Sequence, residues 1–440
     1  MTHRLLKTLI LLALMMLLAL PLWAQEGLIV TVQQRLTLRT GPGTEWDRIT
    51  VLPVGTAVAL DGRSEDGQWV RGITERGQVG WMVFGALGLR LNQVLPLPVI
   101  ARDAPITVAA PPGGAPAPAA PSRGGLPAPV VAGSPVRGFS YGGHVVSLSD
   151  RTVDAMRRAG MTWVKKQIRY FRGNNPNDFA GLIADAHSKG FRIMLGVVGL
   201  PSEVLGEGYF DEYAGFVAGL AALGADAIEV WNEPNIDREW PTGQVNGATY
   251  TQLLARAYNA IKGANRNTLV ISGAPAPTGF FGGCQAGGCD DAVFLQQMAA
   301  AGAANYMDCV GVHYNEGIVP PTVTRGDPRS EYFTRYYPSM VNVYASAFRG
   351  SRPLCFTELG YLTPEGLGPL PGGFAWASNV TVAQQAAWLR QVVDMARRSG
   401  SVRVLIIWNV DFTNYGDDPM AGYAIIRPDG SCPACDALGR

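Results

Sequence analysis

Charged residues are scarce in this chain. Only 16% of its 440 residues are Asp, Glu, Lys or Arg, against roughly 25% in an average soluble protein. The 36 basic residues nearly balance the 35 acidic ones, so the formal net charge is +1. Without a basic excess, the composition argues against a protein that binds nucleic acid or lies on an anionic membrane surface.

Histidine and cysteine are also few, with four His and six Cys. So few ligands predict no metal site. An even number of cysteines is typical of disulfides in an exported protein. We expect Cys284 to pair with Cys289 and Cys432 with Cys435 as local clips. The remaining two, Cys309 and Cys355, fall in neighbouring predicted strands and are either a third bridge or two buried thiols.

Long apolar runs are absent apart from one, Leu9 to Leu20, which follows the basic residues His3, Arg4 and Lys7. With the small residue Ala24 after it, this layout predicts a secretory signal peptide over residues 1–24. A dozen residues are too few for a bilayer span, which takes about 20, although an uncleaved anchor is the alternative. We therefore expect a secreted or cell-envelope protein with no membrane span once the signal is removed.

Short alternating apolar runs broken by glycine fill residues 27–92 and predict a small all-β barrel. The segments LTLRTGPGTEWDRITVLPVGTAVAL, GQWVRG and GQVGWM resemble the bacterial SH3-like domain. That resemblance implies a module that binds cell-wall peptides or glycans; a spacer without a ligand is the alternative. Residues 93–135 follow, with nine prolines between 103 and 135. This composition predicts an extended linker.

Strands and helices alternate strictly through residues 136–440. Eight β-branched runs are separated by seven amphipathic stretches, which predicts a parallel sheet with helical crossovers. Eight units over this length favour a closed (β/α)₈ TIM barrel. The competing open, doubly wound sheet would carry a glycine-rich phosphate loop after its first strand, and the sequence has none. We expect no cofactor.

Polar side chains cluster where predicted strands end, which is the face that carries the active site in such barrels. The fourth strand ends in WNEPN with Glu233, and the seventh ends in TELG with Glu358. Two carboxylates across one pocket are what retaining glycoside hydrolysis requires.

These motifs, with HYN after strand six and WN after strand eight, resemble clan A of the glycoside hydrolases. The resemblance implies Glu233 as the acid/base and Glu358 as the nucleophile. It also implies a sugar-binding set comprising Asn232, His313, Tyr314 and Trp408. An ionised nucleophile should raise the pKa of the acid/base, since like charges disfavour a second ionisation.

Neighbouring residues of a regular strand point to opposite faces, so His313 and Tyr314 cannot both face the pocket unless the strand end bends. The same holds for Asn232 and Glu233, where we expect an irregular backbone. The sequence thus predicts an exported, monomeric, retaining glycoside hydrolase whose small module could direct it to cell wall or glycan. The alternative is a catalytically inactive glycan-binding protein on the same fold.

Overall fold

The computed structural model describes residues 28–33, 35–42, 48–64, 69–87, 89, 94, 97–101 and 138–440. The chain divides into two compact units, Met1–Gly125 and Leu126–Arg440. The predicted signal peptide and most of the predicted linker lie outside the described residues.

The first unit contains a six-stranded antiparallel sheet in the order β1-β4-β5-β6-β2-β3. Its strands are β1 (Leu28–Thr31), β2 (Leu36–Arg39), β3 (Arg48–Leu52), β4 (Ala57–Arg63), β5 (Trp69–Thr74) and β6 (Val79–Val83). Alternate residues face one small core: Leu36 and Leu38 of β2 both lie in it, and Val58 and Leu60 of β4 pack beside them. The predicted all-β module is therefore present.

This sheet continues past the predicted module end at residue 92. The amide of Arg63 donates to the carbonyl of Pro98, and the amide of Ile100 donates back to the carbonyl of Arg63. Val94 is fully buried in the same core. Val94, Pro98 and Ile100, which fall within the predicted linker, thus pack or pair with the first unit.

The second unit is an eight-stranded parallel barrel in the order β11-β10-β9-β8-β7-β16-β15-β14. Its strands are β7 (Ser140–His144), β8 (Trp163–Arg169), β9 (Arg192–Val198), β10 (Ala227–Val230), β11 (Leu269–Ser272), β14 (Val310–Tyr314), β15 (Leu354–Leu359) and β16 (Val402–Ile407). A parallel bridge between Ile271 and Cys309 joins the two ends of this order. The predicted (β/α)₈ fold class is confirmed.

Helices cover the outside of the barrel. They are α1 (Asp150–Arg158), α2 (Ala180–Ser188), α3 (Tyr209–Ala222), α4 (Gly247–Ala264), α5 (Asp291–Ala300), α6 (Tyr337–Ala347), α7 (Val382–Ser399), α8 (Met420–Tyr423) and α9 (Pro433–Leu438). Side-chain caps fix several starts, such as the capping box of Thr381 and Gln384 on α7. The sixth helix begins at Tyr337, with Pro338 in its first turn. Among the described helices, none combines the length and apolarity needed to cross a bilayer.

All six cysteines are paired. Cys284–Cys289 closes a short hairpin of β12 (Cys284–Gln285) and β13 (Gly288–Cys289). Cys432–Cys435 lies at the start of α9. The pair left open by the sequence, Cys309–Cys355, is also bridged and lies among the apolar side chains that fill the barrel interior. This bridge ties the segment entering β14 to β15.

The Cys309–Cys355 bridge should stabilise the barrel more than the Cys432–Cys435 bridge. The first closes a loop of sequence separation 46 and the second one of 3. By the chain-entropy relation, replacing both members of the first pair by alanine should lower the free energy of unfolding by roughly 4 kcal/mol, and the same change in the second by roughly 2 kcal/mol. Urea unfolding followed by circular dichroism measures both, and equal losses would contradict the prediction.

Candidate active site

Glu233 lies just beyond β10 on an irregular stretch of backbone. Trp231 and Glu233 both have positive φ, 77° and 43°, a region that non-glycine residues seldom occupy. Hydrogen bonds hold the stretch in place: the amide of Glu233 donates to the carbonyl of Ala274, and the indole of Trp231 donates to the carbonyl of Glu239. The expected irregularity at this strand end is present, and it ends β10 at Val230.

Glu358 lies on a bulge in β15. Along β14, Val312 pairs with Phe356 but the next residue, His313, pairs with Glu358. One extra residue, Thr357, is therefore inserted in β15 at this point, and a bulge of this kind re-aims the side chains beside it. Glu358 consequently faces the same interior as His313.

His313 connects the two predicted catalytic carboxylates. Its Nδ1 lies 3.1 Å from Glu233 Oε1 and 3.8 Å from Glu358 Oε2. These two oxygens are therefore no farther apart than the sum of those distances, about 7 Å. Glu233 and Glu358 are each nearly buried, whereas His313 is fully buried. The imidazole thus contacts the carboxylates and not the solvent.

Below His313 and the two carboxylates, Lys165 of β8 and Glu229 of β10 form a fully buried ion pair. The Lys165 Nζ lies 2.8 Å from Glu229 Oε2 and 3.3 Å from Glu358 Oε1, and it donates to the carbonyl of Thr357. Gly196 of β9 leaves room for this pair, because a Cβ there would lie 3.1 Å from Glu229 Oε2 and 3.2 Å from Lys165 Cε. A single ammonium group therefore serves two carboxylates.

The buried charges determine the protonation states. Burial alone would lower the pKa of His313, but the ionised Glu358 and the contacts with Glu229 and Glu233 raise it to about 10. Burial alone would raise the pKa of Glu229, but the charges of Lys165 and His313 lower it to about 2. At neutral pH the His313 imidazolium therefore remains protonated and the Glu229 carboxyl remains ionised.

Arg238 binds the outer side of Glu233. Its Nη2 donates to Glu233 Oε2 in a close contact. Burial raises the pKa of Glu233, but His313 and Arg238 outweigh this and hold it below its usual value. The expectation of a raised pKa is therefore wrong for the free protein, because two cations flank the carboxylate and outweigh the effect of burial.

Two more side chains lie beside Glu358, and a third packs behind one of them. The amide of Asn315 donates to its Oε2 over 3.4 Å. His144 Nδ1 lies 3.9 Å from its Oε1, and burial with the nearby Lys165 lowers the pKa of His144 well below its usual value. The partly exposed Trp408 packs edge-on against His144 with ring centroids 4.8 Å apart. Its peptide bond to Asn409 is cis.

The structure brings most, but not all, of the predicted site residues together. Glu233, Glu358 and His313 meet, Trp408 lies beside them through His144, and the Asn232 Oδ1 is buried without a hydrogen-bond partner among the described residues. Tyr314 points away: its ring packs against Tyr337 and Tyr361, and its hydroxyl donates to a backbone carbonyl outside the barrel. Side chains alternate along β14, so His313 points into the barrel and Tyr314 points out of it. The two residues therefore do not share the site.

Sequence reasoning missed Lys165, Asn315, Arg238 and His144. The sequence did contain a signal for Lys165. It lies two residues before Gln167 and four before Arg169 on β8, so the three polar side chains share one face of that strand. Asn315 directly follows the HY pair of the recognised motif. Arg238 carries no periodic signal, since it lies in a loop.

No group of three or more His, Cys, Asp and Glu side chains in the described ranges has the arrangement needed to hold a metal ion.

Several solved structures show limited similarity to this chain. Thermotoga maritima Cel5A, solved with mannotriose, is 14% identical, with 68% of this chain and 97% of that chain covered and a TM-score of 0.42. The endo-1,4-beta-mannanase from Rhizomucor miehei is 14% identical, with 68% and 94% covered and a TM-score of 0.44. GH10 from Paenibacillus barcinonensis is 12% identical, with 68% and 94% covered and a TM-score of 0.44. The sequence matches no protein-family model and no curated protein.

Replacing Lys165 by methionine should destabilise the protein in a pH-dependent way. The folded-state pKa of Glu229 is depressed, so the pair stabilises the fold above the unfolded carboxyl pKa near 4 and loses this contribution as the pH falls toward about 2. Breaking a buried pair costs roughly 3–5 kcal/mol. Urea unfolding should show this loss at pH 7 and a smaller one at pH 3.

Lys189→Met is the matched control, because Lys189 pairs with Asp185 at the surface and should cost about 1 kcal/mol or less. A second check is the double variant Lys165→Met/Glu229→Gln, which removes the unpaired charge and should recover part of the stability. An equal loss for Lys165→Met at both pH values would rule out the electrostatic explanation.

Proposed function

We propose that the barrel is a retaining glycoside hydrolase that cleaves O-glycosidic bonds. The observation that carries the proposal is the pair Glu233 and Glu358, which come from different strand ends and contact the same buried imidazole. Both side chains keep a small solvent-exposed fraction, as groups that touch a substrate must. A carbohydrate is the substrate class that such a carboxylate pair serves.

The reaction would proceed by double displacement. A Glu358 oxygen attacks the anomeric carbon while the bond to the leaving-group oxygen breaks and Glu233 gives that oxygen its proton. Water then attacks the same carbon, Glu233 takes a proton from the water, and the bond to Glu358 breaks. Asn232, with its unpartnered buried oxygen, is positioned beside Glu233 to accept a hydrogen bond from a sugar hydroxyl, and Trp408 offers a partly exposed ring for sugar stacking.

One observation favours the alternative of an inactive glycan-binding barrel. Arg238 and His313 keep the pKa of Glu233 below its usual value, whereas a general acid needs its proton near neutral pH. Catalytic variants separate the two functions, because a binding protein would not depend on Glu358 for turnover.

Glu358→Ala should abolish hydrolysis of every glycoside that the wild-type protein cleaves, because no covalent intermediate can form. Glu233→Ala should lose roughly 10²–10⁴-fold on substrates with poor leaving groups but far less on dinitrophenyl glycosides, and azide should restore the latter activity. A panel of 4-nitrophenyl and 2,4-dinitrophenyl glycosides of glucose, mannose, xylose, galactose and N-acetylglucosamine, in both anomers, measures this.

The exposed Glu207→Ala serves as the matched control and should leave all rates unchanged. Absence of any wild-type turnover across the panel would favour the binding protein. Equal losses on both leaving groups without azide rescue would remove Glu233 from the acid/base role.

The proposal extends to location and to the first unit. The residues of the predicted signal peptide and the three disulfides support export to the cell surface or medium. The six-stranded sheet, on the resemblance of its sequence to SH3-like domains, is proposed to bind cell wall or glycan and so to direct a monomeric enzyme to its substrate.

Removing residues up to 132 should leave hydrolysis of small glycosides unchanged, since every site residue lies beyond 138. The same shortened chain should lose binding to insoluble peptidoglycan. A sedimentation assay measures this binding, with the chain that lacks only residues 1–24 as the reference. Equal sedimentation of the two chains would make the sheet a spacer. Loss of small-substrate activity would place part of the catalytic unit before residue 133.

A further inference from the structure

Arg238 occupies the outward-facing oxygen of Glu233. One oxygen, Oε1, faces the fully buried His313. The other, Oε2, accepts from Arg238, whose side chain is 66% exposed. Since the inner oxygen is covered by protein, a leaving-group oxygen can be protonated only from the outer one. The guanidinium therefore lies where the scissile oxygen of a substrate must arrive.

The buried network that includes Glu233 has one more carboxylate than cations unless Arg238 is counted. Inside the barrel, the ammonium of Lys165 and the imidazolium of His313 face three carboxylates, those of Glu229, Glu233 and Glu358. Arg238 supplies the third positive charge. Without it, a proton on Glu233 restores the same neutrality, so the guanidinium and this proton are alternatives.

A second carboxylate, that of Glu239, lies close enough to Arg238 to pair with it. Its Nε lies 3.8 Å from Glu239 Oε1, and Asp418 is close enough to raise the pKa of the guanidinium along with the two glutamates. Glu239 is shared with Arg169, whose Nη1 lies 3.4 Å from its other oxygen. The guanidinium can therefore leave Glu233 and remain paired.

We propose that Arg238 is a substrate-displaced counter-ion of Glu233, an inference that rests on the hydrolase function proposed above. In the free protein it neutralises the Glu233 carboxylate. A sugar bound across the site displaces it toward Glu239 and Asp418, and Glu233 then takes one proton from solvent and becomes the general acid. Arg238 is thus a positioning residue that couples protonation to occupancy.

The other titratable groups near Glu233 do not change with substrate in this scheme. Lys165 on β8, Glu229 on β10, His313 on β14 and Glu358 on β15 form one buried network, in which His313 contacts Glu233. Tyr344 on α6, and Glu239 and Asp418 on loops, interact with Glu233 electrostatically. The first four are fixed in the buried network, and the Tyr344 hydroxyl donates to Asp291. Only Arg238 combines direct contact with high exposure.

The test compares pH profiles of hydrolysis in full-length variants. The probe is the phenyl glycoside of the sugar identified by the panel, because phenol needs protonation to leave. The basic limb of the kcat/KM profile reports the free enzyme. In Arg238→Gln this limb should move to higher pH by about one unit, so kcat/KM at pH values above the wild-type limb should rise roughly tenfold. The basic limb of kcat, which reports the occupied enzyme, should stay in place.

Controls separate this role from a structural one. Arg238→Lys keeps the charge and should retain the wild-type limb, and Arg256→Gln, an exposed arginine paired with Asp211, should change nothing. With the 2,4-dinitrophenyl glycoside, which needs no acid, Arg238→Gln should leave the profile unchanged. A raised KM with an unshifted pH profile in Arg238→Gln would mean that Arg238 binds substrate. An Arg238→Lys profile like that of Arg238→Gln would mean that the positive charge at this position is not the cause. Either result overturns the proposal.

A measurement without substrate distinguishes failure of this inference from failure of the hydrolase function. Carbon-13 NMR of the glutamate carboxyl groups, with Glu233 assigned by Glu233→Gln, should show Glu233 titrating at higher pH in Arg238→Gln than in wild type. Unshifted titration overturns the counter-ion role even in an active enzyme. A shifted titration in a protein that cleaves no glycoside keeps the pairing but overturns both hydrolysis and displacement.

Discussion

Compensation of buried charge is the constraint on which this site depends. A carboxylate removed from water is strongly destabilised unless cations and hydrogen bonds replace its solvation. Lys165 and His313 do so for three glutamates at once, and each comes from a different strand. The barrel can hold two carboxylates near one another only because these cations lie beneath and between them. The charge network is thus part of the fold and of the chemistry together.

Departures from regular backbone orient the two carboxylates. In β15 an inserted residue turns Glu358 to the interior beside His313. After β10 two residues of positive φ carry the chain from Trp231 to Glu233. Without the inserted residue, Thr357 and not Glu358 would pair with His313, and the carboxylate would point to the other face because side chains alternate along a strand. Local strain of this kind is found where function requires an orientation that ideal geometry does not give.

The sequence predicted the barrel well, and it placed Glu233 and Glu358 at strand ends, because both inferences depend on local patterns. Strand and helix periodicity is visible along the chain, and Glu233 and Glu358 stand at predicted strand ends. It failed where the answer depends on contacts between distant segments. The pairing of Lys165 with Glu229 and Glu358, the binding of Arg238 to Glu233, and the rotation of Tyr314 out of the site are such cases. The lowered pKa of Glu233 follows from the same contacts and could not be anticipated from one neighbour alone.

The absence of a side chain at Gly196 has a consequence for how this sequence can diverge. The ion pair of Lys165 and Glu229 fills the volume that a methyl group at position 196 would need. These three positions lie on three adjacent strands, so a change at one alters what the other two can be. An alanine at 196 would press on both side chains, which would have to move by a few tenths of an ångström to admit it. The effect of a substitution at 196 therefore depends on whether this buried pair can shift without weakening its contact, so the three positions are coupled in how they can change.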